Sequence, residues 1–193
     1  MILAVALAAI LAARAPGIAQ TGMPPAHPPV GGGGAGVQAP PPGSGAGAQG
    51  LRWTPPAGWK EVPPASPMRR AQYRIAGPGG DAECVVFYFG PGQGGDAASN
   101  VTRWTGQFTG AAVKQREIKV GDMPVVVLEV TGTYVGGMGG GPAGPPRPDY
   151  MLLGAIARGP DANWFFRATG PRATLEAQRA GFERMIRSLR AGG

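Results

Sequence analysis

The sequence predicts an α+β fold: an antiparallel β-sheet of about six to seven strands with two packed helices. Three observations support it. The most apolar run, residues 83–89, is rich in the β-branched and aromatic residues that strands favour. Most predicted strands follow one another across short turns, which favours antiparallel pairing. Helical spacing of apolar residues occurs in only two stretches, one after Gly95 and one after Gly170.

The first 50 residues are predicted to lie outside this domain. Residues 1–13 are apolar; this run is shorter than the roughly 20 residues that span a bilayer but suits a signal peptide. Gly17 and Ala19 are small residues placed for cleavage after Ala19, although no basic residue precedes Arg14. We therefore expect a signal peptide at 1–19, a periplasmic or secreted protein, and no transmembrane span in the mature chain.

Residues 20–50 contain no charged residue and are rich in glycine and proline. Such a composition buries too little apolar surface to offset the entropy of ordering, so we expect a disordered tether. The single α+β domain is then expected at residues 51–193. It should begin with two short extended pieces, because Trp53 and Trp59 flank a Pro-Pro-Ala-Gly turn.

The next two predicted strands are joined by a glycine-rich turn at 77–80. Residues 69–76 alternate between apolar and polar side chains, which indicates a half-buried strand. Residues 83–89 form the apolar run and are predicted to lie at the centre of the core. Cys84 lies in that run as the only cysteine, so no intrachain disulfide is possible, and we expect it to be buried.

A second glycine-rich turn, residues 90–95, leads into the first predicted helix. Asp96 or Ser99 can cap the helix, and Val101, Trp104 and Phe108 follow the i, i+3, i+7 spacing of one apolar face. The helix is predicted to extend towards residue 112.

The same turn matches the G-x-G-x-x-G pattern of dinucleotide-binding loops at Gly90, Gly92 and Gly95. We favour a simple strand-to-helix turn with several positive φ angles. Asp96 would repel a pyrophosphate and Pro91 lacks an amide donor. In addition, one further helix is too few for a doubly wound sheet.

Four more strands and a helix complete the predicted domain. The strands are expected at residues 114–120, 124–135, 150–157 and 163–168, with a long glycine- and proline-rich loop at 136–148. The last helix is expected to open at Gly170-Pro171, because proline favours the first helical position, and to end near Arg190.

Composition argues against several functions. The net charge is +7, from 18 basic and 11 acidic residues, but the basic residues are scattered and their longest run is Arg69-Arg70. We therefore expect no nucleic-acid partner. The only histidine, His27, lies in the predicted tether, so the domain lacks the base of a histidine-dependent catalytic site and the usual zinc ligands. No catalytic residue, metal site or cofactor is predicted.

The candidate ligand- or partner-binding residues lie on the first helix and the turn before it. Asn100, Arg103 and Gln107 follow an i, i+3, i+7 spacing beside the apolar face, and Gln93 belongs to the turn. Together they offer hydrogen-bond donors for an anionic or carbonyl group. An exposed, non-functional helix face would show the same pattern.

Several of these motifs resemble an uncharacterised family of exported bacterial proteins. The resemblance rests on W-x-x-P-x-x-W at 53–59, M-R-x-A at 68–71, F-G-P-G-Q-G-G at 89–95 and N-x-x-R-W-x-x-Q-F at 100–108. It covers about residues 51–190. The order of elements is similar to the Mog1/PsbP-like fold, an antiparallel sheet flanked by helices, which hosts accessory and binding proteins and implies no catalytic residue.

We therefore expect an exported, non-enzymatic binding or accessory module of the bacterial envelope. Its partner would be an envelope protein or a small anionic ligand. The alternative is an enzyme of unknown class that uses carboxylate and arginine side chains near residues 90–103. The acidic pair Asp81 and Glu83, at i, i+2 on one strand face, is a further carboxylate candidate, although surface charge is the more common explanation of such a pair.

Overall fold

The computed structural model describes residues 45–46, 50–136 and 144–192 of the 193-residue chain. The predicted signal peptide, residues 20–44 and 47–49 of the predicted tether, and residues 137–143 of the predicted loop lie outside the described residues. All described residues belong to one compact unit, residues 39–193. Among them, no helix is both long and apolar enough to cross a membrane.

The described ranges form strands and helices in the following order: β1 (Gly45–Ala46), β2 (Leu51–Trp53), β3 (Lys60–Val62), β4 (Arg69–Ile75), β5 (Ala82–Tyr88), α1 (Ala97–Thr105), β6 (Phe108–Val120), β7 (Met123–Tyr134), β8 (Arg147–Arg158), β9 (Asn163–Pro171), α2 (Arg172–Arg187) and β10 (Arg190–Ala191).

Seven of these strands form one sheet in the order β3-β4-β5-β9-β8-β7-β6, and every neighbouring pair is antiparallel. The predicted α+β class, with a six- to seven-stranded antiparallel sheet and two helices, is confirmed. A small sheet, β1-β2-β10, was not predicted, since its strands have only two or three residues and show no hydrophobic period.

The two faces of the large sheet carry one helix each. On one face, side chains of β5 and β9 pack against Leu175, Phe182 and Met185 of α2. On the other face, the alternate side chains of the same strands, including Val85 and Phe165, pack with Trp104 of α1. Because successive side chains of a strand point to opposite faces, the apolar run at 83–89 contributes to both clusters. That run is therefore central, as predicted.

The ends of both helices differ from the prediction. α1 ends at Thr105 instead of near residue 112, because Gly106 closes it and the chain turns into β6 at Phe108. Phe108 still packs in the same cluster as Trp104, so it belongs to the predicted apolar face, although its backbone is in a strand rather than a helix. Pro171 is the last residue of β9 and precedes α2, because pairing of β9 with Tyr150 of β8 continues to that residue.

Glycine lets α1 approach the sheet closely. A Cβ atom built on Gly154 of β8 would lie 2.7 Å from Cζ3 of Trp104, a distance that real Cβ atoms do not adopt. The indole ring is 1% exposed and forms a T-shaped contact with Phe165, with ring centroids 6.5 Å apart. This contact fixes where α1 lies and which part of the sheet face it leaves uncovered.

Candidate functional site

The glycine-rich turn before α1 is held by Asn100, one of the predicted binding residues. Asn100 is 2% exposed, and its Nδ2 donates to the carbonyl oxygens of Gly94 and Asp96, each at 2.8 Å. Its Oδ1 accepts a hydrogen bond from Arg103. The Asn100 side chain therefore links the turn to the helix, and the exposed side chain of Arg103 lies over it.

The turn has the conformation expected of a simple strand-to-helix connection. Positive φ angles occur at Gly90, Gly92, Gly94 and Gly95. At Gly94 a Cβ atom would also lie 2.7 Å from Phe89 and 2.8 Å from Phe165, so only glycine fits there. Asp96 caps α1 by accepting from the Ser99 amide at 2.7 Å and from its hydroxyl at 2.9 Å. The positive end of α1 is thus occupied by a carboxylate of the chain itself.

Gln107, the last of the predicted binding residues at i, i+3, i+7, reaches the sheet. Its Oε1 accepts a hydrogen bond of 2.7 Å from the guanidinium of Arg167 in β9. Arg167 is 8% exposed and pairs with Gly154 across the sheet, next to the position of Trp104. Gln107 therefore connects the end of α1 to a buried arginine that was not predicted from the sequence.

Gln93 lies apart from the other three predicted residues. It is exposed and lines a shallow cavity of about 480 Å³ beside the β8–β9 turn, with Asp96, Arg158 and Asp161. In this region Asp161 accepts hydrogen bonds from the Tyr88 hydroxyl and from the Trp164 indole. The four predicted residues thus do not converge on one cavity.

A concave region lies on the α1 face of the large sheet, beside the area that α1 covers. We call it the sheet groove; its volume is about 420 Å³, within the range of roughly 300–1,000 Å³ usual for small-molecule sites. The side chains that matter for its chemistry are Glu83, Tyr134, Arg147, Tyr150, Arg167 and Thr169. They come from β5, β7, β8 and β9, four adjacent strands in the order β5-β9-β8-β7.

Strand register explains why these side chains meet. Glu83 of β5 is opposite Thr169 of β9, and Val85 is opposite Arg167. Paired residues share a face of the sheet, as do residues two apart along one strand. Val85 packs in the cluster of Trp104, so Glu83, Arg167 and Thr169 also point to the α1 face.

Among the described residues that line the groove, Arg167 is the charged side chain that is buried. Burial lowers the pKa of its guanidinium from the ordinary value, while the adjacent Tyr134 hydroxyl opposes that shift; an arginine nevertheless remains charged in a protein. It forms no ion pair with any carboxylate in the described ranges. Its Nε is buried without a hydrogen-bond partner there, as is Oγ1 of Thr169. A buried charge that forms no ion pair is costly, so it calls for an explanation.

Two tyrosines lie between this arginine and a second one. Tyr134 and Tyr150 stack with centroids 6.0 Å apart and planes at 18°. The guanidinium carbon of Arg167 lies 5.9 Å from the Tyr134 centroid, and that of Arg147 lies 5.7 Å from the Tyr150 centroid. Cation–π attraction of this kind orients a guanidinium without neutralising it. Arg147 is exposed and, among the described residues, has no ion pair.

The carboxylates Asp81 and Glu83, which were expected on one strand face, both line the groove. Asp81 is bound by Arg74, whose Nε donates at 2.6 Å. Glu83 accepts from Nε2 of Gln72 at 2.7 Å and lies 3.5 Å from Nη1 of Arg69. The side chain of Glu83 remains 50% exposed, so it is accessible from the groove.

No group of three or more histidine, cysteine, aspartate and glutamate side chains within the described ranges could hold a metal ion. Cys84 is fully buried, as predicted, on the α2 face of the sheet. Its thiol cannot reach the groove, which lies on the other face.

Sequence reasoning missed Arg167, Arg147 and the two tyrosines. One signal was available: Arg167 interrupts the apolar run Trp164-Phe165-Phe166 before Ala168, and a charged residue inside an otherwise buried strand often has a specific role. No sequence signal places Tyr134 and Arg147 beside it, since that depends on the register between β7, β8 and β9.

Comparison with known proteins shows likeness in structure alone. No family model matches the sequence, and no curated protein matches it. The chain is similar to the crystal structure of PA94, a Pseudomonas aeruginosa protein of unknown function, with a TM-score of 0.47 and 18% identity over 68% of this chain and 90% of that one. It is also similar to a Bacteroides thetaiotaomicron protein, with a TM-score of 0.42 and 14% identity over 74% of this chain and 45% of that one. Likenesses this low carry no functional argument.

Proposed function

We propose that the chain is an exported, non-enzymatic binding module whose sheet groove takes a ligand carrying an anionic group. The observation that supports this most is the Arg167 guanidinium, which lines the groove, is 8% exposed and forms no ion pair among the described residues. A bound anion would supply the missing charge through charge-assisted hydrogen bonds. Arg147 adds a second cation at an exposed position of the same groove.

The enzymatic alternative has weaker support. Near residues 90–103 the carboxylates are Asp96 and Asp161, and each is already engaged, Asp96 as a helix cap and Asp161 with Tyr88 and Trp164. An acid–base pair needs carboxylates that converge on a space for substrate. The predicted residues Gln93, Asn100, Arg103 and Gln107 also divide between two regions, and Asn100 is used in holding the turn.

The anion site can be tested by side-chain NMR on the folded domain. Arginine labelled with ¹⁵N gives an Nε–H signal, and the partnerless Nε of Arg167 should be identifiable from the spectrum of Arg167→Lys. Acetate, succinate and phosphate would be titrated at constant ionic strength. We expect at least one of them to shift the Arg167 signal in a saturable way.

Arg147→Ala provides the matching variant, because the residue is exposed and its loss should spare the fold. Hydrogen bonds to charged groups contribute about 1.5–3 kcal/mol, so affinity should fall about tenfold or more. Arg184→Ala, an exposed arginine on α2 and so on the other face, is the control and should bind as the wild type does. Equal weakening by both variants, or no saturable shift with any probe, would remove the proposal.

Export to the envelope is proposed on the sequence of residues 1–19, which lie outside the described residues. Mass spectrometry of the protein from its native host should give a chain that begins at Gln20. An intact chain beginning at Met1 in the cytoplasmic fraction would contradict this part of the proposal.

A further inference from the structure

The sheet groove contains an accessible carboxylate beside its buried cation, and a ligand that carried only negative charge would meet both. Glu83 and Asp81 line the groove together with Arg147 and Arg167. Asp81 is engaged by Arg74. Glu83 is less tightly paired than Asp81: its nearest cation, Arg69, is 3.5 Å away, and half of its side chain is exposed. Glu83 is therefore the acidic group that a ligand would meet.

The separation of Glu83 and Arg167 suits a small molecule. Glu83 pairs with Thr169, two residues beyond Arg167 on the same face of β9. Diagonal neighbours of this kind on adjacent strands are about 7–8 Å apart, and the side chains are long enough to shorten or lengthen that span. Burial lowers the pKa of Arg167, and the negative charge of Glu83 opposes that shift, so the two groups lie within electrostatic reach of each other.

From this pairing, and resting on the proposed function, we infer that the ligand of the sheet groove is a zwitterion of the α-amino acid type. Its carboxylate binds at the Arg167 guanidinium and at the Thr169 hydroxyl, which has no hydrogen-bond partner among the described residues, and its ammonium group faces the Glu83 carboxylate. In an α-amino acid the two charged groups are attached to one carbon, so a single small molecule meets both. Arg147 lies at the exposed part of the groove, where it contacts the side chain or a second anionic group of the ligand.

This assignment explains why the groove holds charges of both signs. A phosphate or a dicarboxylate would be attracted by Arg167 and repelled by Glu83, whereas a zwitterion meets an opposite charge at each position. Specificity arises when the unwanted partner meets a repulsive group as well as lacking an attractive one. Glu83 would act in this way against simple anions.

The test compares amino acids with the same molecules lacking the amino group. The probe pairs are L-leucine with 4-methylpentanoate and L-phenylalanine with 3-phenylpropanoate, titrated into the domain and followed by calorimetry and by the Arg167 Nε–H signal. We expect each amino acid to bind about tenfold more tightly than its partner acid. Glu83→Gln, which keeps an oxygen acceptor for Gln72, should abolish most of that preference. Glu117→Gln, an exposed glutamate on β6, is the control and should leave it unchanged.

Each outcome decides a different point. If the acids bind as tightly as the amino acids or more tightly, the zwitterion inference is wrong and the anion site remains. If the amino acids are preferred but Glu83→Gln leaves the preference intact, the role given to Glu83 is wrong. If no probe, including acetate, succinate and phosphate, shifts the Arg167 signal, the proposed function fails and the inference fails with it. Thermal melts of Glu83→Gln confirm that the variant is folded.

Discussion

Arg167 shows how a single residue takes part in the packing of the fold and, in the proposed function, in ligand binding. Its guanidinium is held by Gln107 at 2.7 Å and by the ring of Tyr134, so it is oriented although it forms no ion pair among the described residues. Replacing buried ionic groups by apolar ones is often neutral or stabilising. A buried cation in the floor of a groove is therefore weak evidence for a stabilising role, and it supports the proposed role in binding.

Asn100 and Arg103 share a hydrogen bond but should differ in their contribution to stability. Asn100→Ala leaves the carbonyl of Gly94 without its donor in a part-buried position, and a stranded buried polar group costs about 1–3 kcal/mol. Arg103→Ala removes only the exposed partner, which water can replace, so its effect should stay within about 0.5 kcal/mol. Chemical denaturation of the two variants measures the difference. Equal destabilisation would mean that Arg103 has a structural role that its exposure hides.

The thiol of Cys84 should be inert in the folded protein. The side chain is fully buried, and burial raises the pKa of the thiol well above its ordinary range, so little of the reactive thiolate forms. A thiol reagent should label the native protein very slowly and the denatured protein within minutes. Cys84→Ala serves as the blank, and fast labelling under native conditions would show that the α2 face of the sheet opens.

At the scale of elements, the Asp96 cap of α1 should make the stability of the fold decrease at low pH. The backbone amide of Ser99, followed by its hydroxyl, holds the pKa of Asp96 below its ordinary value. A carboxyl whose pKa is lower in the folded state stabilises the fold above its unfolded pKa and loses that effect as pH falls through the folded one. The stabilisation by Asp96 should therefore fade below about pH 4.

Asp96→Asn is the matched variant, because asparagine caps helices well but does not titrate. Melting temperatures of wild type and variant, measured from pH 7 down to pH 2.5, should converge as Asp96 becomes protonated. A difference that is constant over this range would show that the charge of Asp96 contributes nothing to the cap.

The elements that the sequence predicts well are those with a strong period. The alternation of 69–76 corresponds to β4, Arg69–Ile75, and the apolar run corresponds to β5, Ala82–Tyr88. The end of α1 was predicted too late because Phe108 continues the helical spacing while lying in a strand. Most of β6 is exposed, so neither period marks its first half. In each case the tertiary contact, rather than local preference, sets the boundary.

The candidate site was predictable only in part for a related reason. Gln107 was selected from the helix period and does reach the groove, through Arg167. The other chemically important side chains of the sheet groove are brought together by the pairing of four strands, and the register of that pairing is not visible in the sequence. Asn100 was selected by the same helix period, but it is used inside the fold.

For the whole molecule, the order of strands predicts a gradient of protection from the middle of the large sheet to its edge. β9 is paired on both sides, with β5 and β8, and most of its residues are buried. β6 is an edge strand of 13 residues, paired only with β7, and its residues 109–117 are exposed. Charged side chains such as Lys114 and Arg116 are typical of edges that avoid pairing with other chains.

Native-state hydrogen exchange can test that description of the edge. In an antiparallel pair, every second residue of an edge strand turns its amide away from its neighbour, so β6 should show alternate fast and slow amides while those of β9 exchange only on global unfolding. The pattern should be the same at low and high protein concentration if Lys114 and Arg116 keep the edge free. If the fast amides of β6 become protected as concentration rises, the edge pairs with a second copy of the chain. If they are protected at every concentration, another part of the same chain covers β6, and the edge described here is an internal strand in solution.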